Sequence, residues 1–318
     1  MPRTRLINAL VLGVTAALAL AACGSDSSND NATATSTTTT ATAVSTTTIA
    51  PCPVQPLDVV VTVSQWADIA KTLAGTCGNV GTIIKTSGAD PHDYEPTASD
   101  IAAIGDADLV IVNGLDYDHW ASDAVDALDS QPAVIDTGAV AGLQEGDNPH
   151  LWYGPTYVAQ VADAISIELS TLQPDAAQFF ETQNSQWDQL FARINNRITE
   201  IKSTDTTYAA TESVFEYMAN DLGFVNATPQ GYQRAAANES EPGPSDIAAF
   251  IGAIEGGSVN VLIYNSQTAG PAQEQIRQAA QDNNVPVVEV TESIPAEYSS
   301  YIEWQLAQLD ALAKALGK

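Results

Sequence analysis

Residues 175–203 read DAAQFFETQNSQWDQLFARINNRITEIKS, and the apolar positions in this stretch decide the fold. Phe179, Phe180, Trp187, Leu190, Phe191, Ile194, Ile198 and Ile201 recur at helical spacing within an otherwise polar segment, which predicts one long amphipathic helix. Pro174 suits its first turn, where a missing N–H has no helical partner to lose. Few breakers follow, and two shorter helices parted at Asn195-Asn196 are the weaker alternative. About 28 residues at about 1.5 Å each make a rod of about 42 Å.

On both sides of this rod, short β-branched runs alternate with longer helical stretches. Upstream, DVVVTV (58–63), VGTIIKT (80–86), DLVIVNG (108–114) and AVIDT (133–137) read as buried strands. QWADIAKTLAG (65–75), TASDIAAIG (97–105) and YDHWASDAVDAL (117–128) separate them as helices, with a further helix at about 156–171. Downstream the alternation resumes through YAAT (208–211), SVFEYMANDLG, FVNAT, PSDIAAFIGAIEG, VNVLIYN (259–265), AQEQIRQAAQDN, PVVEV (286–290) and an amphipathic helix at about 298–316. Strand-helix alternation implies parallel sheets covered on both faces. The expected fold class is therefore α/β: an N-terminal lobe (52–172) and a C-terminal lobe (204–318), each a parallel β-sheet flanked by helices, joined by one long linking helix (173–203).

The first 22 residues have a basic start, MPRTR, and an apolar run, LINALVLGVTAALALAA, the layout of a secretory signal peptide. Leu20-Ala21-Ala22-Cys23 resembles the lipobox of bacterial lipoproteins, which makes Cys23 the expected lipidation site; cleavage near an Ala-x-Ala site with Cys23 left as a thiol is the alternative. Several acyl chains on one residue would supply the multiple signals that stable membrane attachment requires. Residues 24–50 are almost wholly Ser, Thr, Asn, Asp and Ala. Such a segment cannot bury apolar surface, so 23–51 reads as a lipidated cysteine followed by a disordered tether. In the oxidising compartment that a signal implies, the remaining pair, Cys52 and Cys77, favours a disulfide. Closing that loop would stabilise the fold by about 3 kcal/mol. Two thiolate metal ligands are the weaker alternative, because the CxxC spacing is missing.

The chain carries 39 Asp and Glu against 11 Lys and Arg, a formal charge of −28. Phosphate binding needs clustered positive charge, so a nucleic-acid partner is not expected. Such a field attracts cations. Only three histidines occur, His92, His119 and His150. In open parallel sheets ligands sit beyond the carboxyl ends of the strands, and four such positions hold possible metal donors. His92 lies in GADPHDYEP, His150 in DNPHLWYGP, Glu212 in ATES and Glu292 in VTESIP, two from each lobe. Two imidazoles and two carboxylates form a borderline-to-hard set for a divalent first-row ion. The two carboxylate charges would neutralise a dication, which lowers the cost of burying it. His119 lies outside any such motif and reads as a surface residue. Trp66, Tyr94, Trp120 and Trp152 are expected to pack around or near the cleft.

GADPHDYEP, NPHLWYGP, TESVFEY and VTESIP, in this order around a long central helix, resemble the metal-binding lipoproteins of ABC importers for manganese, zinc and iron, the cluster of solute-binding proteins with a rigid linking helix. The resemblance spans about residues 55–318. It implies that His92 and His150 are the two histidines of the first lobe. It also places Glu212 where zinc-selective members carry a third histidine and manganese-type members a glutamate. Glu292 stands where most members have aspartate, and Asn148 where the second motif commonly has aspartate. The resemblance implies a monomer, lipid-anchored on the extracytoplasmic face of a bacterial membrane, that passes its metal to an ABC permease. Manganese is the expected metal because a third histidine and a His-rich loop are missing, with zinc or ferrous iron as alternatives. A metal-dependent enzyme would keep a coordinated water and a general base, and no HExxH, GxSxG, P-loop or GxGxxG pattern occurs. A surface adhesin, a role of some relatives, would show matrix binding independent of metal.

Overall fold

The computed structural model describes residues 50–85, 91–238 and 240–318. The expected signal peptide, the lipidation site Cys23 and nearly all of the tether lie outside the described residues.

Strands β1 (Leu57–Val63), β2 (Gly78–Ile84), β3 (Leu109–Val112) and β4 (Ala133–Asp136) form a wholly parallel sheet in the order β2-β1-β3-β4. Strands β5 (Thr207–Ala210), β6 (Val225–Asn226), β7 (Val261–Asn265) and β8 (Val287–Val290) repeat that order as β6-β5-β7-β8, again parallel throughout. Parallel neighbours need crossovers, and helices supply them. In the first half these are α1 (Ser64–Ala74), α2 (Ala98–Asp106), α3 (His119–Asp126), the single turn α4 (Thr137–Val140) and α5 (Pro155–Leu172). α6 (Ala177–Ile201) links the halves. The second half carries α7 (Glu216–Asp221), α8 (Gln230–Ala237), α9 (Pro244–Glu255), α10 (Pro271–Asp282) and α11 (Tyr301–Ala315). No helix among the described residues is long and apolar enough to cross a membrane.

Local chemistry sets these boundaries. Thr97 and Asp100 form a reciprocal capping box at the start of α2, and the Ser300 hydroxyl accepts the Glu303 N–H at the start of α11. α6 is unbroken at Asn195-Asn196 and has 25 residues, about 37 Å. It is shorter than the expected rod because Pro174–Ala176 form a separate 3-10 turn and the backbone turns extended at Lys202. Phe180, Trp187, Phe191, Ile194, Ile198 and Ile201 make its buried stripe, whereas Leu190 is exposed.

That stripe belongs to a hydrophobic core running continuously through both halves, from Val61 and Ile111 in the first sheet through Trp187 in α6 to Ile263 and Val290 in the second. Each fully buried large side chain contributes about 2–3 kcal/mol to it. α11 packs back on α6 and α1: the Tyr301 N–H donates to Asp68 (2.7 Å) and its hydroxyl to the Trp152 carbonyl. A smaller core on the outer face of the second sheet holds Tyr232, Phe250, Ile254, Leu262 and Ile276, from α8, α9, β7 and α10. Cys52 and Cys77 are joined by a disulfide that ties the entry of the first sheet to the turn before β2.

Candidate metal centre

The carboxyl ends of both sheets face one cavity of about 240 Å³, lined by His92, His150, Glu212 and Glu292 together with Tyr232, Thr268 and Gln273. Each of the four candidate donors is held by bonds from other elements.

His92 follows β2 and α2 follows it. Its Nδ1 lies 3.1 Å from the Asp116 carbonyl. A carbonyl only accepts, so Nδ1 donates in this contact. That carbonyl belongs to an unusual turn in which Gly114, Leu115 and Asp116 all have positive φ (74°, 55° and 65°). For non-glycine residues this conformation costs about 1–2 kcal/mol each, and Asp118 offsets it. Its fully buried carboxylate accepts the N–H groups of Asn113 (2.7 Å) and Gly114 (2.9 Å) and the Thr62 hydroxyl (2.6 Å). Burial raises the Asp118 carboxyl above its ordinary range, although those donors oppose the shift. The same turn delivers Tyr117, whose ring edges against His92 at 4.8 Å and His150 at 6.1 Å.

Buried Asn113 couples this turn to the second histidine. Its Oδ1 accepts from Trp66 Nε1 (2.8 Å) and its Nδ2 donates to the Pro149 carbonyl (3.1 Å). His150 is itself buried against Trp152. Its Nδ1 lies 2.7 Å from Asn148 Oδ1, and its Nε2 lies 3.0 Å from Glu292 Oε1. The Asn148 amide group donates elsewhere, to Ser213 O and Glu216, so the oxygen faces His150 and Nδ1 carries the proton. Nε2 and a carboxylate oxygen at 3.0 Å then need a proton or a cation between them. That is the chemistry of a site in which metal displaces protons on binding.

Glu212 stands beyond β5 and accepts from Asn265 Nδ2 and from the Thr268 hydroxyl (2.6 Å), both on Oε2. Burial and the neighbouring Glu292 charge raise its carboxyl above the ordinary value, outweighing His150, Thr268 and Asn265. Glu292 is buried to a similar degree, which would raise it too. The hydrogen bond and charge of His150, the charge of His92 and a bond from Glu212 prevail, and it ends below its ordinary value. The two carboxyls are thus pushed in opposite directions.

His150, Glu212 and Glu292 each offer one donor atom, all within 4.8 Å of one another. An ion bound at about 2.1 Å from each needs donor atoms no more than about 4 Å apart, so a small contraction suffices. His92 lines the same cavity but stands outside that cluster; its ring is held on the Asp116 carbonyl and Tyr117. His119 is exposed and sits 3.6 Å from Asp116, on another groove. Trp66 and Trp152 are core residues behind the site, and Tyr94 packs on Trp120, whose Nε1 donates to the Pro91 carbonyl (3.1 Å). The sequence reading missed Asp118, Asn113, Asn265 and Thr268. The NG and YN pairs at the ends of β3 and β7 are their only local signal.

Residues 59–315 match the family model described as zinc-uptake complex component A, periplasmic (ZnuA). The iron-binding protein YfeA of Yersinia pestis is 25% identical over 280 residues, which is 82% of this chain and 86% of that protein. The manganese ABC transporter substrate-binding lipoprotein PsaA of Streptococcus pneumoniae is 25% identical over 287 residues, 83% of this chain and 90% of that one. Among solved structures, the periplasmic zinc-binding protein TroA of Treponema pallidum superposes with a TM-score of 0.67 at 21% identity, covering 82% of this chain and 99% of that one. That likeness shows the fold: two parallel sheets flanked by helices with one long linking helix. Members of the matched family are binding proteins of transport systems and not enzymes. The chain belongs to the ZnuA family of metal-binding solute-binding proteins of manganese, zinc and iron ABC importers.

Proposed function

We propose that this protein is the extracytoplasmic, lipid-anchored solute-binding component of an ABC importer, and that it captures one divalent transition metal with His92, His150, Glu212 and Glu292 and delivers it to its membrane permease. The observation that carries the reading is the convergence of His150, Glu212 and Glu292 donor atoms from both sheets on one cavity that His92 also lines. Residues 1–22 act as the signal peptide, Cys23 as the anchor and 24–51 as the tether, with lobes at 52–172 and 204–318. Relatives named as lipoproteins support the anchor.

The metal we favour is Mn2+, with Zn2+ or Fe2+ as alternatives. Two imidazoles and two carboxylates suit all three, and the relatives bear iron, manganese and zinc names. The oxygen-rich half of the set and the glutamate at 212 favour the harder ion. The test is metal-stripped protein melted with Mn2+, Zn2+ or Fe2+ at about a hundred times Kd. Binding adds about 2.7 kcal/mol there, which raises Tm by about 5 °C for a folded part of this size. No shift with any of the three ions overturns the reading, and elemental analysis of protein purified without chelator identifies the ion.

A further inference from the structure

We propose that Asn148 is a positioning residue that ties the His150 imidazole to the segment carrying Glu212, and that an amide is required there because half of its bonds are donations. The inference rests on the metal-capture reading for its consequence, but the tie itself is geometric. The Asn148 Oδ1 accepts from the His150 main-chain N–H (3.1 Å) and from Nδ1 (2.7 Å). Its Nδ2 donates to the Ser213 carbonyl (2.9 Å) and to Glu216 Oε2 (3.2 Å). Its main-chain carbonyl accepts the Tyr217 hydroxyl (2.8 Å). All the hydrogen-bonding capacity of the carboxamide is used.

Ser213 directly follows Glu212, so one side chain holds a candidate donor of the first half and the residue next to one of the second. An aspartate would hold His150 at least as firmly, since charged acceptors make stronger bonds. It has no proton for the Ser213 carbonyl, and it would set a second carboxylate against Glu216. The two ways Asn148 could act, through His150 alone or as a tie between the halves, therefore predict opposite results for the same substitution.

The full chain is compared with Asn148→Asp, Asn148→Asp/Glu216→Gln and Tyr217→Phe. Amide hydrogen exchange over residues 211–218 of the metal-free proteins is measured first, then the rate of Mn2+ release to an excess of chelator. With a tie, Asn148→Asp exchanges faster over 211–218 and releases Mn2+ about tenfold faster, the lower end of the effect of outer partners. The double variant, where the amide at 216 donates to the carboxylate at 148, recovers only the part lost to repulsion from Glu216, because the Ser213 carbonyl still has no donor; full recovery would overturn the proposal. Tyr217→Phe, which leaves the carboxamide untouched, shifts exchange in the same direction by less; if Asn148→Asp does not fold, Glu216→Ala, which removes one acceptor of the Asn148 amide, decides the matter by the same exchange comparison. Unchanged exchange together with equal or slower release in Asn148→Asp overturns the proposal. Were the parent protein to take up no Mn2+, Zn2+ or Fe2+, the capture reading would fall and the exchange comparison alone would decide the tie.

Discussion

Shortening Glu292 by one methylene, Glu292→Asp, tests the geometry of the site most directly. The segment 291–293 cannot follow the withdrawn carboxylate freely, because both halves of the molecule hold it. Gln65 Nε2 donates to the Glu292 carbonyl (2.8 Å), and Tyr153 donates to the Thr291 carbonyl (2.7 Å). From the other side, Gln267 Oε1 accepts the N–H groups of Glu292 (2.8 Å) and Ser293 (2.9 Å). Removing a methylene withdraws the carboxylate by about 1.5 Å. If the loop stays, the carboxylate no longer reaches an ion held beside His150, and a charged contact of this kind is worth about 1.5–3 kcal/mol. If the loop advances, at least two of the four anchoring bonds break, at about 1 kcal/mol each. Either route costs about 2 kcal/mol, so metal affinity falls about thirtyfold. Competition with a fluorescent chelator measures it for Mn2+ and Zn2+. Adding Gln65→Ala releases one anchor and recovers part of the loss. An Asp variant within threefold of the parent protein would refute the reasoning.

Three further outcomes follow from the same geometry. His150→Ala weakens Mn2+ binding about a hundredfold and His92→Ala about tenfold, because only His150 belongs to the tight donor cluster; calorimetric titration with equal effects would contradict this. Glu212 has its carboxyl raised by burial and by Glu292, so the folded state binds more protons there than the unfolded state and stability falls as pH rises through that value. Metal-free Glu212→Gln therefore melts higher than the parent protein at pH 7, and the difference disappears at pH 4; thermal melts at both pH values check the sign. Cys52→Ala/Cys77→Ala removes the cross-link between residues 25 apart, worth about 3 kcal/mol, and lowers Tm by about 5 °C, against which a change under 1 °C would count.

The strands and α6 were legible because their signals are local. Four buried β-branched or aliphatic residues in a row, as in Leu109–Val112, need no partner to be recognised, and the stripe from Phe180 to Ile201 carries its period on its face. The second half was less legible. α8 follows Pro229 and holds Gly231, a poor helix former, so its eight residues show no clear pattern. FVNAT yields only the two-residue β6, paired at the sheet edge with β5 alone. At the site, strand-end position and residue type pointed to four residues that line one cavity, three of which bring donor atoms together. How they converge was not legible, because the bonds that aim them span long separations, such as Gln65 to Glu292 and Asn148 to Ser213. The placement of His92 outside the cluster likewise depends on the Asp116 turn, which the buried carboxylate of Asp118 helps to hold.

The docking of α11 on α1 and α6 bears on the order of events during synthesis. Tyr301, Trp304, Leu309 and Leu312 complete a core whose first residues lie near position 57, so the early sheet stays incompletely covered until the ribosome has passed that late helix. For a chain read as exported through a narrow channel, this delay is an advantage. A chain exported as proposed would reach the translocase before this packing is complete and would close around its cavity only after crossing.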